Sequence, residues 1–254
     1  MVARRIEPFT YDPDVQPNFN HDEFLQTSEL LENVTLALTV VGPRIPISAA
    51  QWFTFDDPDL EQSSSSKMSS SRRGQLLEIL PIGFADYPVL DSEEAPQIVQ
   101  AYLALPINTR NKVHLALQRL NHAQRRHEVA DRAVELSIAL ETLLGDNANT
   151  EMTHKIKVRS TRLIGGTNEV RRRNAAIINK TYKIRSDLVH KGQRVNADGT
   201  EAICEQQMSV SKIIDHAITL CADLTKIIIR RGSIPDWSCF DIAEQTKPKG
   251  QRKA

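Results

Sequence analysis

The stretch IRSDLVHKG at 184–192 sets Arg185 five residues ahead of His190. Histidine titrates near neutral pH and can take a proton from a hydroxyl. Arginine stays charged and holds a phosphate through a two-pronged fork. These are the groups that metal-free RNA cleavage asks for. A base removes the ribose 2′-OH proton, the oxygen attacks the adjacent phosphate, and a cation stabilises the charge that builds on phosphorus. The same residues also suit a plain helix end, where the macrodipole favours cations and Gly192 can close the last turn. Spacing alone leaves both readings open.

A helix must position the pair. At about 100° per residue, Ile177, Thr181, Ile184 and Leu188 form one apolar stripe, and Arg185 lies at its edge, about 80° from Ile177. Tyr182, Ser186 and His190 fall near 140°, 180° and 220°. His190 thus points away from its own core, with Ser186 one turn below it and within reach of its ring. One exposed Arg-His pair is a poor pocket. Two such faces brought together make a better one, so the pattern points to a homodimer with the site in a shared cleft.

The surrounding chain reads as helical from Pro96 onward. A short helix is expected at 93–104. A second follows Pro106, with Val113, Ala116, Leu117 and Leu120 at helical spacing. EVADRAVELSIALETLL at 128–144 is apolar over most of its surface, which implies a central helix, closed at C′ by Gly145. Thr150 can cap the next helix, which ends at Gly165-Gly166, and a fifth covers roughly 168–190. Ile203, Val210, Ile214, Ala217, Cys221, Leu224 and Ile228 form a seam that predicts one helix over 203–231, about 45 Å long. The fold class expected is therefore mainly α. Residues 106–232 form a helical bundle, 1–105 a small mixed α/β region, and 233–254 a basic C-terminal tail.

Within the N-terminal region a helix begins near His21, and AAQWFTF at 49–55 alternates like a strand. QLLEIL at 75–80 is a candidate partner for that strand. The serine-rich run at 63–74 reads as a mobile loop, its serines also open to phosphorylation.

Composition sets further bounds. The chain has 254 residues, 40% hydrophobic and 25% charged, with Lys+Arg and Asp+Glu equal at 32 each. The charge is unevenly spread: residues 1–100 carry 6 basic and 16 acidic side chains, and 151–195 carry 12 basic and 3 acidic. The basic segment can attract phosphate through Lys155, Arg159, Arg162, Arg171, Arg172 and Arg173, or the acidic half can dock on it. Three cysteines without a CxxC fit buried thiols in a reducing compartment, hence a cytoplasmic protein. The N-terminus lacks a signal peptide's apolar core and no apolar run approaches a membrane span, so no membrane partner is expected. No Gly-rich phosphate loop, H-E-x-x-H, paired CxxC or G-x-S-x-G is present, so neither a metal nor a cofactor is expected.

Three segments together resemble the HEPN superfamily, and within it the Apea-like branch. ELSIALETLLGDN (135–147) resembles the branch's central A-L-E-x-L-L-G helix. TEMTHKIKVRSTRLIGG (150–166) resembles the helix that follows, with Arg159 at a position typically arginine. IRSDLVHKG resembles the R-S-x-[IL]-V-H-G signature, in the same order along the chain. Lys191 here separates His190 from Gly192, and Ser186 stands where many HEPN nucleases carry Asn, Asp or His.

The resemblance covers about 110–232. It implies an all-α domain that dimerises and sets two R-x4-H motifs across a cleft. It also implies a metal-independent endoribonuclease acting on RNA, of the kind found in phage defence or toxin–antitoxin systems, with an antitoxin or regulatory protein as a further partner. Other members are non-catalytic modules for dimerisation or for binding nucleic acid or protein, which is the alternative reading. A basic DNA-binding bundle is a third, without a recognisable helix-turn-helix. Arg185 and His190 are the catalytic candidates, with Tyr182, Ser186 and Glu141 in support. A carboxylate in an apolar helix needs a partner. Glu141 can orient His190, pair with Arg185, or form a structural ion pair with a base such as Arg159.

Overall fold

The computed structural model of the protein describes residues 21–41, 46, 50–52, 58–63, 68–71, 90–146, 151–192 and 195–242. In chain order these form α1 (His21–Ala37) with a 3₁₀ turn at Leu38–Val40, β1 (Ala50–Trp52), α2 (Pro58–Ser63) and β2 (Met68–Ser71). Then come α3 (Glu94–Leu103), α4 (Ile107–Arg125), α5 (Val129–Leu144), α6 (Met152–Ile164) and α7 (Asn168–Lys191). β3 (Thr200–Ile203), β4 (Gln206–Ser209), α8 (Val210–Arg231) and α9 (Trp237–Ile242) complete the order. The protein is mainly helical, as its apolar periodicity predicts. No helix among the described residues is long and apolar enough to cross a membrane.

α5 is the central element. Val129, Ala130, Ala133, Leu136, Ser137, Ala139, Leu140, Leu143 and Leu144 are all buried, and α4, α6, α7 and α8 pack around them. Burying each of its leucines contributes about 1.5–3 kcal/mol. Its polar groups are answered locally. Glu135 pairs with Arg119 at 3.2 Å and Arg126 at 3.4 Å, and the Ser137 hydroxyl donates to Ala133 O at 2.9 Å. On α4, Val113, Ala116, Leu117 and Leu120 all face this core.

The core continues across residue 105. Ala37, Val40, Val41, Ile98, Tyr102 and Leu105 belong to the same apolar cluster as the later helices. A polar knot fixes the contact: Asn33 Oδ1 accepts from the Tyr102 hydroxyl at 3.1 Å and lies 3.0 Å from His114 Nδ1. α1, α3 and α4 are thereby tied together.

Four local expectations are corrected. The seam from 203 to 231 is not one helix. Ile203 ends β3, Cys204 takes φ +54° in the turn, β4 runs antiparallel beside β3, and Ser209 caps α8 by accepting from Lys212 N at 3.3 Å. Ile203 and Met208 stay buried, so a hairpin keeps the apolar pattern that the sequence reads as one more helical turn. The serine-rich run contains β2, which pairs antiparallel with β1, Trp52 opposite Met68; residues 75–80 lie outside the described residues. Gly145 is extended (φ −74°), not left-handed. A Cβ there would sit 2.4 Å from Glu141 O, so close approach to the backbone is what requires glycine. Lastly, 233–254 is not all tail: Trp237 is buried and opens α9. The Thr150 cap lies outside the described residues, and α6 instead follows Glu151 at φ +55°.

Arg159 holds α9 in place. It is 2% exposed, and its Nη1 donates to Leu144 O at 2.6 Å. Its Nη2 reaches Asp146 Oδ2 and Asp241 Oδ2, both at 2.7 Å. The guanidinium carbon stands 5.1 Å from the Trp237 ring centroid. One arginine thus joins the end of α5, the turn after it, α6 and α9. Arg159→Ala should lower the unfolding free energy by about 2–4 kcal/mol, because a buried hydrogen-bond hub disappears while the two part-exposed carboxylates regain water. Urea melts would measure it, and a change under ~0.5 kcal/mol would remove Arg159 from this role.

Candidate active site

The motif sits at the end of α7, a helix of 24 residues. Thr167 starts it, its side chain accepting from Val170 N, and Gly192 ends it at φ +60°. Gly192 N donates to Leu188 O at 3.0 Å. Lys191, the residue set between histidine and glycine, lies in the last turn and pairs with Asp187 at 2.6 Å. The insertion is therefore absorbed as regular helix, and His190 is exposed one position before its end.

Arg185 and Ser186 are half-buried. Neither makes a hydrogen bond or ion pair among the described residues. Tyr182, expected on the outer side, is instead buried at 6% exposure, because α7 packs against α5, α6 and α8 on a face wider than one stripe. Its hydroxyl lies 3.4 Å from Ser137 O. It also faces the half-buried Glu141 carboxylate. Burial, then the Glu141 charge and its hydrogen bond, push the Tyr182 hydroxyl far above the ordinary tyrosine range, while Arg185 opposes the shift. Glu141, Tyr182 and Arg185 thus form one electrostatic group beneath the exposed end of α7. The predicted pairing of Glu141 with Arg159 does not form, since Arg159 is committed to Asp146 and Asp241.

The basic segment divides into two. On α6 three of the cations serve the fold. Arg159 is interior, Lys155 pairs with Asp146 at 2.9 Å, and Arg162 donates to Asp241 O at 2.6 Å beside the Phe240 ring. Asp146 is within sight of sequence reasoning, just past the end of α5. Asp241 is not, because no local pattern links it to a base 82 residues away. On α7, Arg171 is half-buried while Arg172 and Arg173 are exposed. Arg173 Nη2 stands 3.1 Å from His216 Nε2. Burial, helped by Arg173 and Lys212, pushes His216 below its ordinary range. Neutral His216 then accepts from Arg173.

Hollows open on the described surface at Glu151–His154 and between Val41, Arg132, Asp215 and Lys226. Arg185, Ser186 and His190 line neither. The described residues hold no group of three His, Cys, Asp or Glu side chains that could bind a metal ion. Comparison of the chain with family models, curated proteins and solved structures finds no significant match.

The buried tyrosines give a pH test. Tyr102 is pushed up to about 12 by burial, and Tyr182 rises further. The folded chain keeps protons that the unfolded chain releases near pH 10, so this stability is full below about pH 10 and lost as pH climbs beyond it. Unfolding free energy measured in urea should stay level to about pH 9 and then fall. Tyr182→Phe should make the fall shallower. An equally steep fall in that variant would show that Tyr182 does not contribute.

Proposed function

We propose that the protein is a metal-independent endoribonuclease of the HEPN type, working as a homodimer with its active site in the cleft between two α7 ends. The observation that carries this reading is the state of the R-x4-H pair. His190 is exposed at a capped helix end, and Arg185 is half-buried without a hydrogen-bond or ion-pair partner among the described residues. Most other cations of the basic segment are spent on carboxylates, carbonyls or an imidazole. A cation left without such a partner is open to an incoming anion.

In this reading a His190 ring nitrogen takes the proton from a ribose 2′-OH. The 2′-oxygen attacks the adjacent phosphorus, and the P–O5′ bond breaks. The O5′ leaves with a proton delivered from the second copy's His190 or from water. The products are a 2′,3′-cyclic phosphate and a 5′-OH. Arg185 binds the phosphate oxygens as their charge grows, and its fork matches them better than a point charge does. Two copies are invoked because a single chain leaves His190 unwalled. A role in phage defence or beside an antitoxin belongs to the same reading and rests on the resemblance alone.

The test is cleavage of RNA in EDTA by purified protein. His190→Ala should slow it by roughly 10²–10⁴-fold, and Arg185→Lys should also remove most activity. Both variants should keep the parent's circular dichroism, and light scattering should show a dimer for all three. Undiminished cleavage by both folded variants, abolition by EDTA, or a parent that is monomeric yet fully active would each overturn the mechanism. A parent that binds RNA without cutting it would make the chain a binding module.

A further inference from the structure

The cations of α7 fall into two sets. Three on one flank are engaged: Lys180 pairs with Glu201 on β3 and Lys191 with Asp187, while Arg173 donates to His216 on α8 and keeps its charge. Those on its outermost line are not. Arg172, Asn179, Lys183 and His190 are all exposed, and none has a hydrogen-bond or ion-pair partner among the described residues. At 100° per residue they lie within a band about 40° wide, and from Arg172 to His190 the row is about 27 Å long. A single straight line of unpaired donors therefore leads along the helix to the candidate base. Sequence reading misses Asn179 and Lys183, although their steps of 7, 4 and 7 residues are an ordinary helical signal.

We infer that this row is a track for one strand of RNA, whose phosphates meet Arg172 and Lys183 and whose sugar or phosphate meets the Asn179 amide. The strand's path ends with a phosphate between Arg185 and His190. The substrate class rests on the ribonuclease reading above; the track itself rests on the charge pattern. The row is one donor wide and the neighbouring Lys180 and Lys191 are already paired, so it matches one phosphate backbone better than the two of a duplex. The row carries no aromatic side chain on which bases would stack. Contacts are then to the backbone, which fixes the strand's position without reading its sequence. In-line attack also requires a nucleotide free to turn out of a helical stack, which a single strand allows.

The test uses the full chain and a short fluorescent single strand with 2′-O-methyl riboses, which binds as RNA but has no hydroxyl to attack. Anisotropy is read across a salt series. The double variant Arg172→Glu/Lys183→Glu should raise Kd about tenfold or more and flatten the log Kd–log salt slope by about 1.4, near 0.7 for each single-strand phosphate that no longer meets a cation. A milder Arg172→Gln/Lys183→Gln pair should move both readings the same way by less, and Lys112→Glu on α4 should move neither. The proposal is overturned if the double variant binds like the parent or if Lys112→Glu weakens binding equally. It is also overturned if an RNA duplex depends on the row more than the single strand does, or if the parent binds no strand. Cleavage of the matching all-ribose strand separates the two readings. A row effect without cleavage removes the ribonuclease and keeps the track. Cleavage without a row effect removes the track and keeps the ribonuclease.

Discussion

The packing of α5 among four helices is the constraint on which the rest of the structure depends. A helix with Leu136, Leu140, Leu143 and Leu144 withdrawn from water leaves few directions for a polar side chain to escape. Glu135 escapes towards two arginines at the α4 end. Glu141 cannot reach solvent freely and faces the Tyr182 hydroxyl. Ile177, Ile178, Thr181, Tyr182 and Ile184 make the side of α7 that turns inward, and the line opposite them turns outward. The exposed position of His190 is thus set from the interior, by the buried side of its own helix, and not only by the residues around it.

Hydrophobic periodicity makes much of this arrangement legible. The apolar positions of α4, the central place of α5 and six of the seven seam residues of α8 follow from spacing alone, because amphipathic helices repeat at a fixed period. What spacing cannot separate is a helical turn from a two-residue hairpin. Ile203 and Val210 are seven apart on either reading, and the hairpin buries Ile203 just as a helix would. The local signals that mark the break are Ser209, a capping residue, and the positive φ at Cys204, of which only the first is visible in sequence. Gly145 shows a different ambiguity. A glycine after a helix reads as a left-handed cap, whereas this one answers a steric demand from Glu141 O.

For the site, chemistry is legible where it depends on residue type and one helix, and illegible where it depends on distant partners. Arg185, Ser186 and His190 lie on the exposed or half-exposed side of α7. A wheel drawn for one helix misplaces Tyr182 because it assumes one packing partner, and α7 has three. Arg159 reads as a phosphate ligand because a cation on an amphipathic helix normally seeks water. Its burial depends on Asp241 and Trp237, which come from a helix whose sequence looks like tail.

The charge asymmetry resolves residue by residue. If the acidic N-terminal part neutralised the basic segment, the α6 and α7 cations would pair with residues before 100. The ion pairs of the described residues run otherwise. Glu94 takes Lys226 and Arg230 on α8, and on α6 Lys155 takes Asp146 while Arg159 takes Asp146 and Asp241. On α7, Lys180 and Lys191 take Glu201 and Asp187, both later in the chain than α6. Each of these pairs joins neighbours in the fold, so the pairing is local and leaves a remainder. Part of that remainder, Arg172 and Lys183, falls on the line of α7 that ends at His190, while Lys112, Lys157, Lys212 and Arg231, on other helices, have no side-chain partner among the described residues. A polyanion's own charges are strung along a chain, so it is the collinear part of the surplus, on α7, that such a ligand would meet.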